Sequence, residues 1–210
     1  MNFEIMMRVS GFTFEAETVM KVMREENDLA NCLTTHLALE RFIEAWICGY
    51  TEIEDLFIND SKNKEKSRFS LGFMGKAQLA QRMGLPIKAF RIIDKLNSIR
   101  NGFAHRTNFE GASHQDFMDL IKKVDELPSY GMKSLNDADY EVFVDFGDTK
   151  IRHQLISEDC PHGLRYTAIC YALMARCLHF IVNELIVPQL DDTHKAIAGY
   201  KVTGVTYQKR

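Results

Sequence analysis

Proline interrupts this chain only four times in 210 residues, at positions 86, 128, 161 and 188. A proline ring removes a backbone donor and clashes with the preceding helical turn, so the long intervals between these positions are free to be helical. Within them, apolar residues recur at three- and four-residue spacing, the signature of amphipathic helices. Helices are predicted over 14–25, 29–50, 72–83, from Pro86 to about 106, over 113–127 and over 163–185. Asp28 is placed to cap the second, which carries Leu39, Phe42, Ile43, Trp46 and Tyr50 on one side. Gly84 ends the third, Pro86 opens the fourth, and Pro128 stops the fifth. The pattern breaks at 129–160, where DADYEVFVDFGD alternates apolar and acidic residues as a half-exposed strand or hairpin does. From Gln189 no period is visible, and this end reads as an extension. The fold class is mainly α, a bundle of five or six helices with a small β-like insert.

Composition supports a real core, with 46% hydrophobic and 26% charged residues. No run of 18 or more apolar residues is present, so no membrane span is expected. The first residues, MNFEIMMRVSGFTFEAE, lack a basic start and carry Glu4 within the apolar stretch, unlike a secretory signal. A cytoplasmic location is the expectation. The five cysteines form no C-x-x-C pair and fall mostly in apolar helical stretches, which fits reduced thiols better than a disulfide framework. Cys160 and His162 in DCPHG have no second ligand pair at metal-site spacing. No metal or cofactor is expected.

The net charge of −3 argues against a protein coated in positive charge, but charge is unevenly distributed. Between Lys76 and Arg106 seven basic residues stand against Asp94 alone, and between Asp137 and Asp159 seven acids stand against Lys150 and Arg152. A basic stripe of this kind is either a solvated helix face or a track for a polyanion.

On a wheel of about 100° per residue, the Pro86 helix gathers Ala89, Ile92, Ile93, Leu96, Ile99, Phe103 and Ala104 on one face. Lys88, Arg91, Lys95, Ser98, Asn101, His105 and Arg106 take the other. Arg100 falls in the middle of the apolar face. Its charge cannot be titrated away, so burial without a partner costs several kcal/mol, roughly. Two partners are open: Glu40 and Glu44, one turn apart on THLALERFIEAW, or a phosphate at a cleft or subunit interface. Asn101 and His105 share a helix edge at i, i+4, and histidine transfers protons near neutrality.

Arg100-Asn101-Gly102-Phe103-Ala104-His105 resembles the R-x4-H motif of the HEPN superfamily, including the polar residue after the arginine. ALERFIEAWI resembles the first core helix of such domains. FMGKAQLAQRMGL followed by a helix running into IRNGFAH is similar to HEPN proteins of the mannitol-operon-repressor type. The likeness covers about residues 28–127 and 163–186 and leaves out the insert 129–160 and the extension 189–210 of what would be a single HEPN-like domain. It implies a bundle that dimerises through the motif helices. Many members are metal-independent endoribonucleases, used as toxins or in phage defence; others bind nucleic acid or protein without catalysis. By the same likeness Arg100 and His105 match the catalytic pair and Asn101 its polar companion. Thr107 stands where one subgroup has a modifiable tyrosine, so that control is not expected.

The residue types suit RNA cleavage. The ribose 2′-OH is a built-in nucleophile, so the site needs a proton-transfer group, His105, and a cation over the phosphate, Arg100. The products would be a 2′,3′-cyclic phosphate and a 5′-OH. Lys88, Arg91, Lys95 and Arg106 are the candidate RNA-backbone contacts. RNA, a second copy of the chain across the motif helix, and an antitoxin or defence-system protein are the expected partners. The alternative is a non-catalytic HEPN regulator or adaptor.

Overall fold

The computed structural model describes residues 1–11, 27–58, 71–105, 108–145, 150–189, 200–203 and 206–209. The predicted helix at 14–25, the polar loop at 61–68 and Arg106 lie outside these. The described part is mainly α, with six α-helices: α1 (Phe3–Ser10), α2 (Asp28–Thr51), α3 (Phe73–Arg82), α4 (Ile87–His105), α5 (His114–Asp125) and α6 (His162–Phe180). The last continues as a π-helical turn, Ile181–Ile186, and a short 3-10 turn, Val187–Gln189.

The centre is α2, on which α1, α3, α4 and α6 all pack. Its Leu39, Phe42, Ile43, Trp46 and Ile47 are buried, and so are Ala38, Ala45 and Cys48 toward other neighbours. A helix apolar on most sides belongs in the middle of a bundle. Two expectations for α2 are corrected. Its cap is Asn27, whose Oδ1 accepts from Ala30 N at 3.0 Å, leaving Asp28 inside the first turn for another partner. Tyr50 is exposed, although α1 crosses α2 at the neighbouring Gly49, where Asn2 N donates to Gly49 O at 2.7 Å.

On α4, Ala89, Ile92, Ile93, Leu96 and Ile99 are buried in the subunit's own core. The face that the sequence offered to a twin is therefore occupied, and Ala104, placed on it by the wheel, is exposed. Ser113 and Asp116 form a reciprocal capping box at the start of α5. At its far end, buried Arg176 of α6 donates to Val124 O at 2.7 Å, Leu127 O at 3.0 Å and Asp125 Oδ1 at 2.7 Å. One guanidinium thus satisfies carbonyls left open at a helix end.

The insert contains the antiparallel hairpin β1 (Glu141–Asp145) and β2 (Lys150–Gln154), with Glu141 opposite Gln154. Leu135 and Leu155 at its flanks join the main core. A second hairpin, β3 (Tyr200–Thr203) with β4 (Thr206–Lys209), lies in the C-terminal extension. Its strands are too short to declare a period in the sequence. The run His162–Gln189 is long and apolar enough to cross a membrane by length and composition. Leu164, Ile169, Leu173, Cys177 and Ile181 along it are buried in the core, and 39% of its most apolar 18-residue stretch is buried. All five cysteines are buried and free.

A Cβ at position 49 would meet Met6 Cβ at 2.9 Å and Asn2 O at 3.0 Å. Gly49→Val is therefore expected to push α1 off α2 at a cost of about 1–3 kcal/mol. A thermal melt should show this as a fall of roughly 2–12 °C in Tm, and an unchanged Tm would show that the close approach carries no stability.

Candidate functional site

The α4 helix runs to His105 as its last residue, so the whole R-x4-H stretch is helical. Arg100 is half-buried and His105 is exposed. The intramolecular pairing open to Arg100 is not made: Lys76 of α3 donates to Glu40 Oε1 at 2.7 Å and to Glu44 Oε1 at 2.5 Å. Partial burial works against the Lys76 charge, but these two carboxylates outweigh it and raise its pKa. Lys76, counted with the basic residues of the stripe, is instead a buried internal cation.

The polar contact shown for Arg100 is its own neighbour, from Nη1 to Asn101 Oδ1 at 3.2 Å. Among the described residues it makes no ion pair. Asn101 thereby orients the guanidinium rather than the His105 ring. One turn earlier, Asn97 Oδ1 lies 3.3 Å from His36 Nε2 on α2. The His36 ring also packs on Phe73 of α3, with centroids 3.8 Å apart. Burial holds the His36 pKa below its ordinary 6.5; the bond to Asn97 opposes this, and the Arg100 charge adds to it.

Beyond Arg100 the chain turns at one end of the bundle. Phe103 and Phe109 meet edge to face at 4.8 Å, and the Phe109 ring presses on Gly102, where a Cβ would be 2.8 Å away. Gly111, at φ +107°, brings the loop against Asp28, whose Oδ2 would lie 2.0 Å from a Cβ. Only glycine fits that approach and that backbone. Asp28 Oδ1 in turn lies 2.9 Å from His162 Nδ1, at the first residue of α6. The buried Cys32 thiol is pushed up to about 11 by burial, with the Asp28 charge adding to this, while the Tyr166 hydroxyl and the Arg100 charge work the other way.

Of the predicted RNA contacts, Lys88 donates to Glu126 O at 3.0 Å and Arg91 is exposed. Lys95 pairs with Asp116 Oδ1 at 2.6 Å. Partial burial pushes the Asp116 pKa up, but the bonds from Lys95 and Ser113 hold it below the ordinary carboxylate range. The stripe is therefore partly committed to neighbouring backbone and side chains. Among the described residues, no three His, Cys, Asp or Glu side chains gather as a metal site.

The sequence reading missed Lys76, His36 and the Asp28–His162 pair. Glu40 and Glu44 did call for a cation, but nothing local says which one arrives. DCPHG carried the only hint of His162, a proline directly before a long helix.

Compared with known proteins, the chain matches no family model, no curated protein and no solved structure.

His36 gives the site a pH signature. Its folded-state pKa is depressed, so the unfolded chain takes up the proton first as pH falls. Stability is complete above 6.5 and is lost as pH drops through the depressed value. Urea midpoints measured at about pH 7.5 and about pH 5.5 should converge in His36→Gln relative to wild type. An equal loss in both would show that His36 does not titrate in folding.

Proposed function

We propose that the protein is a metal-independent endoribonuclease of HEPN type, with Arg100 as the phosphate-binding cation and His105 as a proton-transfer group. The observation that carries this reading is the state of Arg100. It is half-buried, it has no carboxylate partner among the described residues, and the two glutamates that would have neutralised it belong to Lys76. Natural proteins rarely leave an internal arginine unpaired, and a phosphodiester is the ligand its planar fork suits. In cleavage the 2′-oxygen attacks phosphorus, the bond to the 5′-oxygen breaks, and Arg100 meets the charge that builds on the non-bridging oxygens. A role in a toxin–antitoxin pair or in phage defence goes with this proposal. So does a homodimer, which would use outward-facing residues of α4 because the helix's apolar face is buried at home.

A second reading, a non-catalytic HEPN regulator or adaptor, is favoured by one observation: among the described residues His105 makes no hydrogen bond that would orient its ring. A cleavage assay on single-stranded RNA in EDTA separates the two. Wild type should cut, leaving cyclic phosphate and 5′-OH ends, and should bind but not cut DNA, which lacks the 2′-OH. His105→Ala should lose on the order of 10²- to 10⁴-fold in rate with RNA affinity nearly kept, whereas Arg100→Ala should lose both. An inert wild type that still binds RNA would establish the regulator.

Salt dependence tests the basic stripe. With Lys88 and Lys95 engaged internally, Arg91 is its freest described member, and Arg91→Gln should reduce the log–log slope of binding against salt by about 0.7. The same slope in wild type and variant would remove Arg91 from the RNA path.

A further inference from the structure

In-line attack at a phosphodiester calls for two proton-transfer groups, one on each side of phosphorus, and the R-x4-H stretch supplies one histidine. A second histidine stands at the same end of the bundle. His162 opens α6, its Nδ1 is 2.9 Å from Asp28 Oδ1, and its side chain is 38% exposed while that of Asp28 is 18% exposed. A carboxylate on Nδ1 fixes the tautomer and orientation of the ring and leaves Nε2 for chemistry, as in the Ser-His-Asp triads where the imidazole accepts a proton from a hydroxyl.

The loop that leaves α4 places this pair beside the motif helix. Asp28 is pressed against Gly111, in the loop that leaves α4, and Gly111 in turn touches Phe103 of the motif. On the buried Cys32 thiol, one turn after Asp28 on α2, the charges of Asp28 and Arg100 act in opposite senses. Asp28 Oδ2 is buried and makes no hydrogen bond among the described residues, so this carboxylate has a single partner to orient.

We propose that His162, held by Asp28, is the second acid–base group of the ribonuclease site, within the same chain as Arg100 and His105. It rests on the ribonuclease reading above. His162 Nε2 takes the proton from the ribose 2′-OH as the 2′-oxygen bonds to phosphorus. His105 gives a proton to the 5′-oxygen as the phosphorus–oxygen bond breaks. Asp28 stabilises the imidazolium that forms and does not itself take the proton.

The groups packed against the His162 ring are Asp28 from α2 and the Phe117 ring from α5, at 4.8 Å between centroids. On its own helix, Arg165 lies over that same phenylalanine.

The test is the pH profile of kcat/KM for cleavage of a single-stranded oligoribonucleotide by wild type, His162→Asn and Asp28→Asn. Wild type should give a bell. His162→Asn should fall on the order of 10²- to 10⁴-fold in kcat, with KM nearly unchanged, lose the low-pH limb where the base would be protonated, and recover partly with free imidazole. Asp28→Asn, which keeps an acceptor near Nδ1 but removes the charge, should lose at least about tenfold. A purely structural tie between the starts of α2 and α6 would lower Tm without altering the limb or responding to imidazole. Active wild type with an unimpaired His162→Asn, or with losses that track Tm alone, overturns this inference and leaves the ribonuclease reading standing. An inert wild type overturns both.

Discussion

Because α2 is surrounded, the carboxylates and the imidazole it carries toward its neighbours are met by partners from other helices. Four helices pack on α2. Asp28 meets His162 of α6, His36 meets Asn97 of α4, and Glu40 and Glu44 meet Lys76 of α3. Burying any of these groups unpaired would cost more than its paired burial gains. The apolar residues between them supply most of the driving force, which is non-directional. The polar contacts decide which helix lies where along α2.

The Lys76 bridge bears on the proposed ribonuclease site because of what it leaves unpaired. Two carboxylates one turn apart repel each other unless a cation sits between them, and one lysine bonded to both serves that need. Had Arg100 taken the glutamates, the motif helix would have held a closed internal ion pair. Instead Arg100 is steadied by its neighbour Asn101 and makes no ion pair among the described residues. Loss of Lys76 would leave two partly buried carboxylates without the cation that joins them.

The helical class, the hairpin in the acidic insert and the burial of Ala89, Ile92, Ile93, Leu96 and Ile99 were legible because they rest on period and on chain-local signals. Asn27 displaced Asp28 as cap although both residue types cap well, since the tertiary contact to His162 claimed the aspartate. Tyr50 fits the wheel of α2 but is exposed, because a wheel says which residues share a face and not how far along the helix the neighbours reach.

Periodicity, the sparse prolines and the capping residues by themselves determined where helices form, which face of each is apolar, and that Arg100 and His105 stand on one helix near its end. These depend on residues within a few turns of one another. Only the tertiary structure decided that Lys76 rather than Arg100 meets Glu40 and Glu44, and that His162 meets Asp28 across 134 positions. Ion pairs and hydrogen bonds between helices are set by the final packing of side chains. A sequence names the charges available; three-dimensional closure assigns them.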